Sequence, residues 1–389
     1  MKKLLLTGGL LCFLAACSGS ESILFDYTAD SDSDVRIPAS ITLTMEKIPE
    51  RVCLRSPLSP EPIPAQIESA SNSRVRLWWQ HDHPAGETVS YTVLSNEECP
   101  GGGFEWDRLD GDSIQLTYQG MPVVQYEHPV FDSDDIENTK KPFHLLFDPE
   151  RNMPITKGVG GLFPHHRGVY YGYNKIVAGD REFDVWHAHN GERTEHAGIL
   201  DEIEGPLFGG HTVKIDWKDT DGEPVLEEER TIRVMRLADN SYIMDLDSKL
   251  TALYEFVELG GDLQHAGIQF RAAQYVADNS ETTRFIRPAE WSDYPDDEEL
   301  DETRWENLPW NGMHFMIENN PYTVVYMSHP SNPDNSQMSE RKYGRFGEFI
   351  PYQLAEGETF HLQYRFWVVA GDAPTVEEIE ELYSVYASE

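Results

Sequence analysis

The feature that most constrains this chain is a period-two alternation of β-branched and aromatic residues, which recurs from residue 40 almost to the C-terminus. Runs such as Ile41–Thr44, Val75–Trp79 and Val89–Leu94 place successive side chains on opposite faces, as a β-strand does. Helical periodicity is clear only in Thr375–Tyr386, where a threonine cap, early glutamates and apolar i, i+3/i+4 spacing predict one closing helix. The chain is therefore predicted to be all-β.

The predicted strands fall into two groups, which we interpret as two domains. The first group is short and is interrupted by four prolines between positions 57 and 64, which disfavour helices and central strands. We expect a small β-sandwich over residues 38–118 and a large antiparallel β-sandwich with a concave face over residues 119–389. The longer predicted strands are Ser113–Tyr118, Val123–Tyr126, Phe143–Phe147, Val169–Tyr173, Thr212–Trp217, Thr231–Leu237, Ser241–Leu250, Gly267–Tyr275, Tyr322–Ser328 and Thr359–Val369.

The first residues have the pattern of a bacterial export signal. Two lysines precede the apolar stretch Leu4–Phe13, which is too short to span a bilayer about 30 Å thick, and small residues precede Cys17. This ending resembles a lipoprotein box, so we expect a signal over residues 1–17 that ends at a lipidated Cys17, and a flexible tether over residues 18–37. Plain secretory cleavage nearby is the alternative. The expected location is the bacterial cell envelope, on the outer membrane, with the lipid as the sole membrane contact.

The cysteines agree with an oxidising compartment. With Cys12 removed and Cys17 lipidated, Cys53 and Cys99 remain as a pair, which we expect to form a disulfide that staples the N-terminal domain. Two cysteines alone cannot complete a tetrahedral zinc site, so no metal role is expected for them.

The charge balance excludes one class of partner. The chain has 31 Lys+Arg and 68 Asp+Glu, a net charge of −37, so it repels phosphate backbones and nucleic-acid binding is not expected. Solvated carboxylates keep such a protein soluble, and the charge alone names no substrate. The sequence leaves the oligomeric state open.

Histidines are concentrated in one region of the second domain. Six of the 14 lie between His165 and His211, and the first two belong to the run Phe163–Tyr171, which also holds an arginine and two tyrosines. Pro164 fixes an extended entry and Gly168 permits a turn or a close backbone approach, so the pair is expected at a strand mouth. Imidazoles, a guanidinium and phenols can shuttle protons, clamp an anion and stack on a sugar or uronate. Histidines that only cap loops are the alternative.

A second histidine pair follows Trp186. If this run is a strand, His187 and His189 share one face and can converge on a cation. No third ligand has a diagnostic spacing, so hydrogen-bonded histidines are the simpler interpretation, while His196 and His211 either complete a metal site or line the cleft. No cofactor is expected, and a divalent metal stays an open alternative.

Charged residues also occur inside predicted strands. Arg271 emerges from the strand that begins at Gly267, and a charge within an apolar strand requires a partner. Glu228 and Arg230 share one strand face and form a complementary pair, whereas Glu227 points to the other face.

A third polar cluster follows a strand near the C-terminus. His329 and Asn332 lie in a loop with two prolines, and Arg341 and Tyr343 follow shortly after. A stiff loop lowers the ordering cost of binding, so these residues are candidates for ligand contacts. Simple turn formation is the alternative.

Several of these segments together carry a family resemblance. In chain order they resemble the PmoA-like family between residues 119 and 372, which implies a predominantly β fold similar to the galactose-mutarotase supersandwich and a setting among polysaccharide-degrading proteins. A membrane monooxygenase is not implied, because no apolar segment after the signal is long enough to span a bilayer. The segments are Lys141–Phe143, Pro164–Gly168, Asp184–Trp186, Trp217, Gly222–Arg230, Leu250–Ala252, Gly267–Arg271, His329–Pro333 and Arg341–Gly344.

Clustered histidines and arginines favour an enzyme that acts on an oligosaccharide or uronate by general acid/base chemistry, as a hydrolase, lyase or epimerase in polysaccharide degradation. His166 is the predicted acid or base, with support from His165, and Tyr343 is the second proton carrier. We expect the site to converge on one concave face of the second domain. The predicted substrate-binding residues are Arg167, Tyr170, Trp186, Arg271, His329, Asn332 and Arg341. The alternative function is a non-catalytic carbohydrate-binding lipoprotein that stacks sugars on tryptophans.

Overall fold

Antiparallel strands dominate the structure, which confirms the all-β prediction. A computed structural model describes residues 23–28, 38–71, 73–80, 86–96, 99–292 and 306–389. The expected signal peptide and its Cys17 lie outside these residues. No helix within the described ranges is long and apolar enough to cross a membrane.

The first of two units comprises the described residues up to Phe104 together with Gly205–Phe208. It holds one six-stranded sheet, sheet 1, in the order β1-β6-β3-β4-β5-β2. Its apolar face buries Phe25, Leu77 and Trp79. The strands are β1 (Leu24–Thr28), β2 (Ala39–Thr44), β3 (Val52–Ser56), β4 (Ser59–Ser71), β5 (Arg74–Trp79) and β6 (Thr88–Ser95).

The disulfide prediction is confirmed, because Cys53 of β3 is bonded to Cys99 with the two Cα atoms 5.4 Å apart. Two boundary predictions need correction. The tether was expected to reach residue 37, but β1 lies inside it and pairs along its whole length with β6. The first unit ends at Phe104 rather than at residue 118.

The proline-rich segment was expected to resist a central strand, yet it begins β4, which has neighbours on both sides. The pairing of β4 with its two neighbours explains how the strand accommodates the prolines. β5 contacts only the second half of β4, from Ala65 onward, whereas β3 pairs with the first half. Pro60, Pro62 and Pro64 therefore lie where β4 is locally an edge strand, a position that tolerates proline.

The second unit is built mainly from two eight-stranded sheets. Sheet 2 has the order β23-β24-β19-β11-β10-β9-β8-β7, and its strands are β7 (Phe104–Arg108), β8 (Ser113–Tyr118), β9 (Met121–Glu127), β10 (Phe143–Leu146), β11 (Val169–Tyr173), β19 (Ala266–Arg271), β23 (Gln337–Arg341) and β24 (Arg345–Phe349). Sheet 3 is smaller, with β12 (Lys175–Ala178), β13 (Arg181–Phe183), β18 (Phe256–Gly260) and β25 (Tyr352–Ala355).

Sheet 4 packs on one face of sheet 2. Tyr326 of sheet 4 donates its hydroxyl to the carbonyl of Ile268 at 3.3 Å, and its ring lies 5.9 Å from that of Phe346. Sheet 4 has the order β14-β15-β16-β17-β26-β22-β21-β20, and its strands are β14 (Arg193–Ile203), β15 (Phe208–Lys218), β16 (Pro224–Ala238), β17 (Ser241–Ala252), β20 (Arg284–Ile286), β21 (Trp310–Ile317), β22 (Asn320–Ser328) and β26 (Thr359–Ala370).

Helices are short except at the C-terminus. The described α-helices are α1 (Ile136–Thr139), α2 (Gln274–Asp278) and α3 (Val376–Tyr386), and Ser280–Thr282 and Ala289–Trp291 form short 3₁₀ helices. The closing helix is confirmed, and its Thr375 forms a capping box with Glu378. The strand expected over Gly267–Tyr275 ends instead at Arg271, because the backbone N–H of Ala273 turns to the carbonyl of Ile155 and α2 begins.

Candidate functional site

The outer face of sheet 2, opposite sheet 4, carries a set of polar side chains. Register pairs Tyr170 with Gln269 and Arg271 with Arg345, and alternation puts all four on one face, whereas Phe270 points inward toward sheet 4. All four side chains are buried. Loop residues contribute to this cover, because the ring of His166 lies 5.7 Å from that of Tyr170 and the ring of Tyr343 lies 5.0 Å from the Arg271 guanidinium.

The predicted histidine turn supplies part of this cover. His166 donates its backbone N–H to the carbonyl of Phe163, whose φ of 52° is in the left-handed region. Gly168 has a φ of 48°, and a Cβ there would lie 2.0 Å from the carbonyl oxygen of His144, so the expected close approach is real. The Nζ of Lys157 donates to the carbonyls of Phe163 and His166 at 3.1 and 2.8 Å, which fixes the turn over the sheet.

The His166 imidazole lies between two tyrosine rings. Its centroid is 5.7 Å from Tyr170 and 6.1 Å from Tyr343, with interplanar angles of 30° and 13°, and Trp186 meets it edge-on at 5.6 Å. Neither ring nitrogen of His166 has a hydrogen-bond partner among the described residues. Burial, and then the charge of Arg345, hold the pKa of His166 well below its usual range. The imidazole is therefore neutral at neutral pH.

Two arginines lie beside Tyr343. The guanidinium of Arg271 is 5.0 Å from the Tyr343 ring, and its Nη1 donates to the carbonyls of Ala272 and Tyr343. Arg345 donates through Nε to the Tyr343 hydroxyl at 3.0 Å and through Nη1 to Gln269 at 2.9 Å. Burial lowers the pKa of Arg271 to about 10. Both arginines hold one side of the site together through Tyr343.

Two buried lysines lie at the same face. Lys141 donates to the carbonyl of Trp186 and lies 5.7 Å from the Tyr170 ring centroid. Burial and the neighbouring Lys140 hold the pKa of Lys141 well below its usual range, and burial lowers that of Lys157 to about 7. Both amino groups therefore lose their protons more readily than a solvated lysine, and the two arginines carry the lasting positive charge of this face.

Further imidazoles border the site. The ring centroids of His165 and His187 are 4.7 Å apart, and those of His187 and His265 are 5.0 Å apart. The Nδ1 atoms of His187 and His265 contact Asp184 and Asp262 at 2.6 and 2.8 Å. Burial lowers the pKa of His165 to about 2. These rings form an edge of the site, on which the Nδ1 atoms of His187 and His265 are already occupied.

The second histidine pair does not lie on a strand. Residues 185–187 form a turn, and Ala188 has a φ of 51°, so His187 and His189 do not alternate as strand neighbours. Their rings stack with centroids 5.7 Å apart. In the described part of the chain, no group of three or more His, Cys, Asp or Glu residues is arranged to hold a metal ion.

The structure brings together six of the predicted residues, which we call the outer-face site: His165, His166, Tyr170, Trp186, Arg271 and Tyr343. Arg341 faces Arg345 across the β23–β24 pair, but its Nη1 donates to the carbonyl of Glu340. The side chain of Arg167 turns away from the site and donates to Pro164 and Glu137.

The proline-locked loop lies elsewhere in the second unit. His329 packs on Tyr386 of α3, with ring centroids 5.1 Å apart, and Asn332 donates to the carbonyl of Gln363 at 2.9 Å. These two predicted substrate-binding residues therefore contact sheet 4 and α3. Three buried basic side chains of the site were not predicted: Lys141, Lys157 and Arg345. Two of them had a signal in the sequence, because Lys141 precedes an apolar strand and Arg345 opens the alternation of β24.

Comparisons with known proteins place the chain in a family. No curated protein matches it. Among solved structures, the GalM/aldose epimerase homologue from C. elegans matches with a TM-score of 0.27 and 9% sequence identity, over 70% of this chain and 100% of that chain. A likeness this weak supports no conclusion about activity, and the comparisons give no support to the PmoA-like resemblance. The model of the family of unknown function DUF6807 matches residues 113–384, more than half of the sequence, and the chain belongs to that family.

Proposed function

We propose that this protein is a carbohydrate-active enzyme that uses general acid/base chemistry at the outer-face site, with His166 as the base. The observation that carries the proposal is the environment of His166, which is buried between two tyrosines with both ring nitrogens lacking a partner in the described chain. Buried polar groups are normally hydrogen-bonded, and exceptions concentrate at functional sites. A neutral imidazole has a lone pair that can accept a proton, and a bound anion would raise the pKa that burial and Arg345 lower in the free protein.

The surrounding side chains support a sugar as the ligand. Phe163 and Tyr343 supply flat, partly exposed aromatic faces, which stack on sugar rings. The Tyr170 hydroxyl and the Trp186 Nε1 lack hydrogen-bond partners within the described ranges, so they are available to hydroxyl groups. Phe163, 39% exposed, and the half-buried Tyr343 lie at the rim with ring centroids 5.0 Å apart. Aromatic faces next to unsatisfied polar groups are the usual composition of a sugar site.

The test is turnover of a panel of plant and algal oligosaccharides, followed by mass spectrometry of the products. His166→Ala is expected to lower the rate by about 10²- to 10⁴-fold, because a general base is removed. The matched control is His361→Ala, which removes a histidine that pairs with Asp247 on sheet 4 and leaves the outer-face site untouched. Turnover unchanged in His166→Ala would contradict the proposal, and binding without any turnover would favour the non-catalytic carbohydrate-binding alternative.

We also propose that the protein works in the bacterial cell envelope, anchored by a lipid on Cys17. The proposal is supported by the apolar stretch Leu4–Phe13 and the small residues before Cys17. Mass spectrometry of the mature N-terminus tests it. An unmodified N-terminus at another residue would remove the membrane anchor.

A further inference from the structure

We propose that the outer-face site selects an acidic sugar and that Arg271 binds the sugar carboxylate through its Nε and Nη2 edge. The proposal rests on the proposed function and narrows its substrate class to uronate-containing oligosaccharides. A uronate carboxylate is planar and carries two oxygens, and a guanidinium edge presents two parallel N–H groups at matching spacing.

The guanidinium of Arg271 has one nitrogen with hydrogen-bond partners and two nitrogens without. Its Nη1 is held by the carbonyls of Ala272 and Tyr343, which fixes the orientation of the guanidinium plane. Its Nε and Nη2 have no hydrogen-bond partner in the described chain, and the side chain is fully buried. These two nitrogens form the fork that binds a carboxylate side-on. Arg271 is therefore already oriented for such a ligand.

Three other buried arginines of this unit are paired with carboxylates from the chain itself, whereas Arg345 donates to Tyr343, Gln269 and Ser339. Arg230 is bound by Glu228 at 2.8 Å, Arg365 by Asp245 at 2.6 Å, and Arg287 by Glu340. No carboxylate of the described residues lies within ion-pair distance of Arg271. A buried guanidinium without an anion is costly. The chain has 68 acidic residues that could serve as a counter-charge elsewhere in the fold. The missing anion is the expected contribution of the ligand.

Neighbouring groups strengthen the case for an anion. Lys141 and Lys157 bring two more buried amino groups to the site. Their Nζ atoms donate to backbone carbonyls rather than to carboxylates. The Nε1 of Trp186, which can only donate, also lacks a partner in the part of the chain described. A ligand rich in acceptor oxygens satisfies all these groups at once.

Access to Arg271 requires movement of its cover. The guanidinium lies under the Tyr343 ring, and Tyr343 contacts Phe163. Tyr343 occupies the loop between β23 and β24, and both rings are at least partly exposed. We infer that the carboxylate enters as these two rings part.

Isothermal titration calorimetry of the purified protein tests the inference with three probes of equal length: an oligogalacturonate, its methyl ester and a sulfated galactose oligomer. The oligogalacturonate is expected to bind at least about tenfold more tightly than the ester, since esterification removes a charge-assisted bidentate contact. Equal affinity for acid and ester, failure of the acid to bind, or tighter binding of the sulfated oligomer would each overturn the carboxylate assignment. This comparison uses the unaltered protein and does not depend on the folding of a variant.

A variant then locates the contact. Arg271→Lys keeps the charge but removes the fork, and it is expected to weaken oligogalacturonate binding by about 10- to 100-fold. The matched control is Arg365→Lys, which removes an equally buried guanidinium from sheet 4 and is expected to leave affinity unchanged. Retained affinity in folded Arg271→Lys would overturn the role of Arg271. Acid-selective binding without turnover of any sugar would sink the proposed enzyme and leave this inference standing.

Discussion

At the scale of single residues, strand alternation brings charged side chains of the second unit together in its interior. Glu228 and Arg230 share a face of β16, as the sequence predicted, and the carboxylate also accepts from the Trp217 Nε1 at 3.0 Å and the Ser248 hydroxyl at 2.8 Å. Glu227, on the other face, makes a half-exposed pair with Lys214. The adjacent residues Glu227 and Glu228 thus carry one solvated and one buried carboxylate.

This difference gives a matched pair of variants. Glu228→Gln leaves Arg230 buried without its counter-charge and is expected to lower the free energy of unfolding by about 3–5 kcal/mol. Glu227→Gln removes a solvent-screened pair and is expected to cost about 0–1 kcal/mol. Urea unfolding of the two variants measures both values. Equal losses would show that the buried network does not stabilise the fold.

At the scale of elements, most strands could be predicted because one buried face imposes period two. Ser113–Tyr118 and Val169–Tyr173 have their predicted bounds, and the structure extends several others by a few residues. The alternation fails where the chain leaves a sheet: the residues after Arg271 continue an apolar pattern that also suits the short helix α2. Local pattern cannot decide between these two, because the deciding hydrogen bond comes from the distant Ile155.

The site was predictable to a similar extent. The Pro and Gly residues that lock the histidine turn mark it in the sequence, and so does the charged Arg271 within an apolar strand. Lys157 gave no such signal, since its contacts are backbone carbonyls of a turn six to nine residues away. The structure does not bring His329 to the outer-face site, for the opposite reason. Its loop is rigid, but His329 packs against α3. Rigidity of a loop does not specify which face it joins.

The turn that carries His166 depends on Gly168. An alanine there is strained at a φ of 48°, and its Cβ would overlap the carbonyl oxygen of His144, which belongs to the neighbouring strand. Gly179→Ala is the control, because Gly179 has a φ of 62° but no atom within 4 Å of the added Cβ. We expect the control to cost about 1 kcal/mol from backbone strain alone. Gly168→Ala should cost clearly more and abolish sugar turnover, as measured by urea unfolding and the product assay; equal losses of stability would contradict this account.

At the scale of the whole molecule, a second group of imidazoles lies between sheets 2 and 4. His144 of β10 and His211 of β15 are fully buried, with their Nε2 atoms 3.0 Å apart. His196 contacts the Tyr126 hydroxyl through Nδ1 at 3.2 Å. Burial lowers the pKa of His211 to about 3 and that of His196 to about 4. The fold therefore holds these rings neutral in its interior.

Stability against acid is expected to depend on this group. In the unfolded chain a histidine titrates near its ordinary pKa of about 6.5, whereas in the folded protein these rings bind protons only at a much lower pH. Below about pH 6.5 the unfolded state therefore binds more protons, and the free energy of unfolding decreases as the pH falls toward the folded pKa values. Above that pH the contribution is fully present. Protonation of surface carboxylates acts in the opposite direction, because it relieves the repulsion of a net charge of −37.

Substitution of one ring separates the two effects. His211→Gln retains a hydrogen-bonding side chain opposite His144 but cannot titrate, while the surface carboxylates are unchanged. We expect this variant to be less stable than the parent at about pH 7.5, because the stacking of His211 on Trp106 is lost. Between about pH 6.5 and 4.5 its free energy of unfolding should fall less steeply, by up to about 1.4 kcal/mol per pH unit, since one fewer proton is taken up on unfolding. Urea titrations across this range measure the slope, and a slope equal to that of the parent would show that His211 is already protonated in the fold.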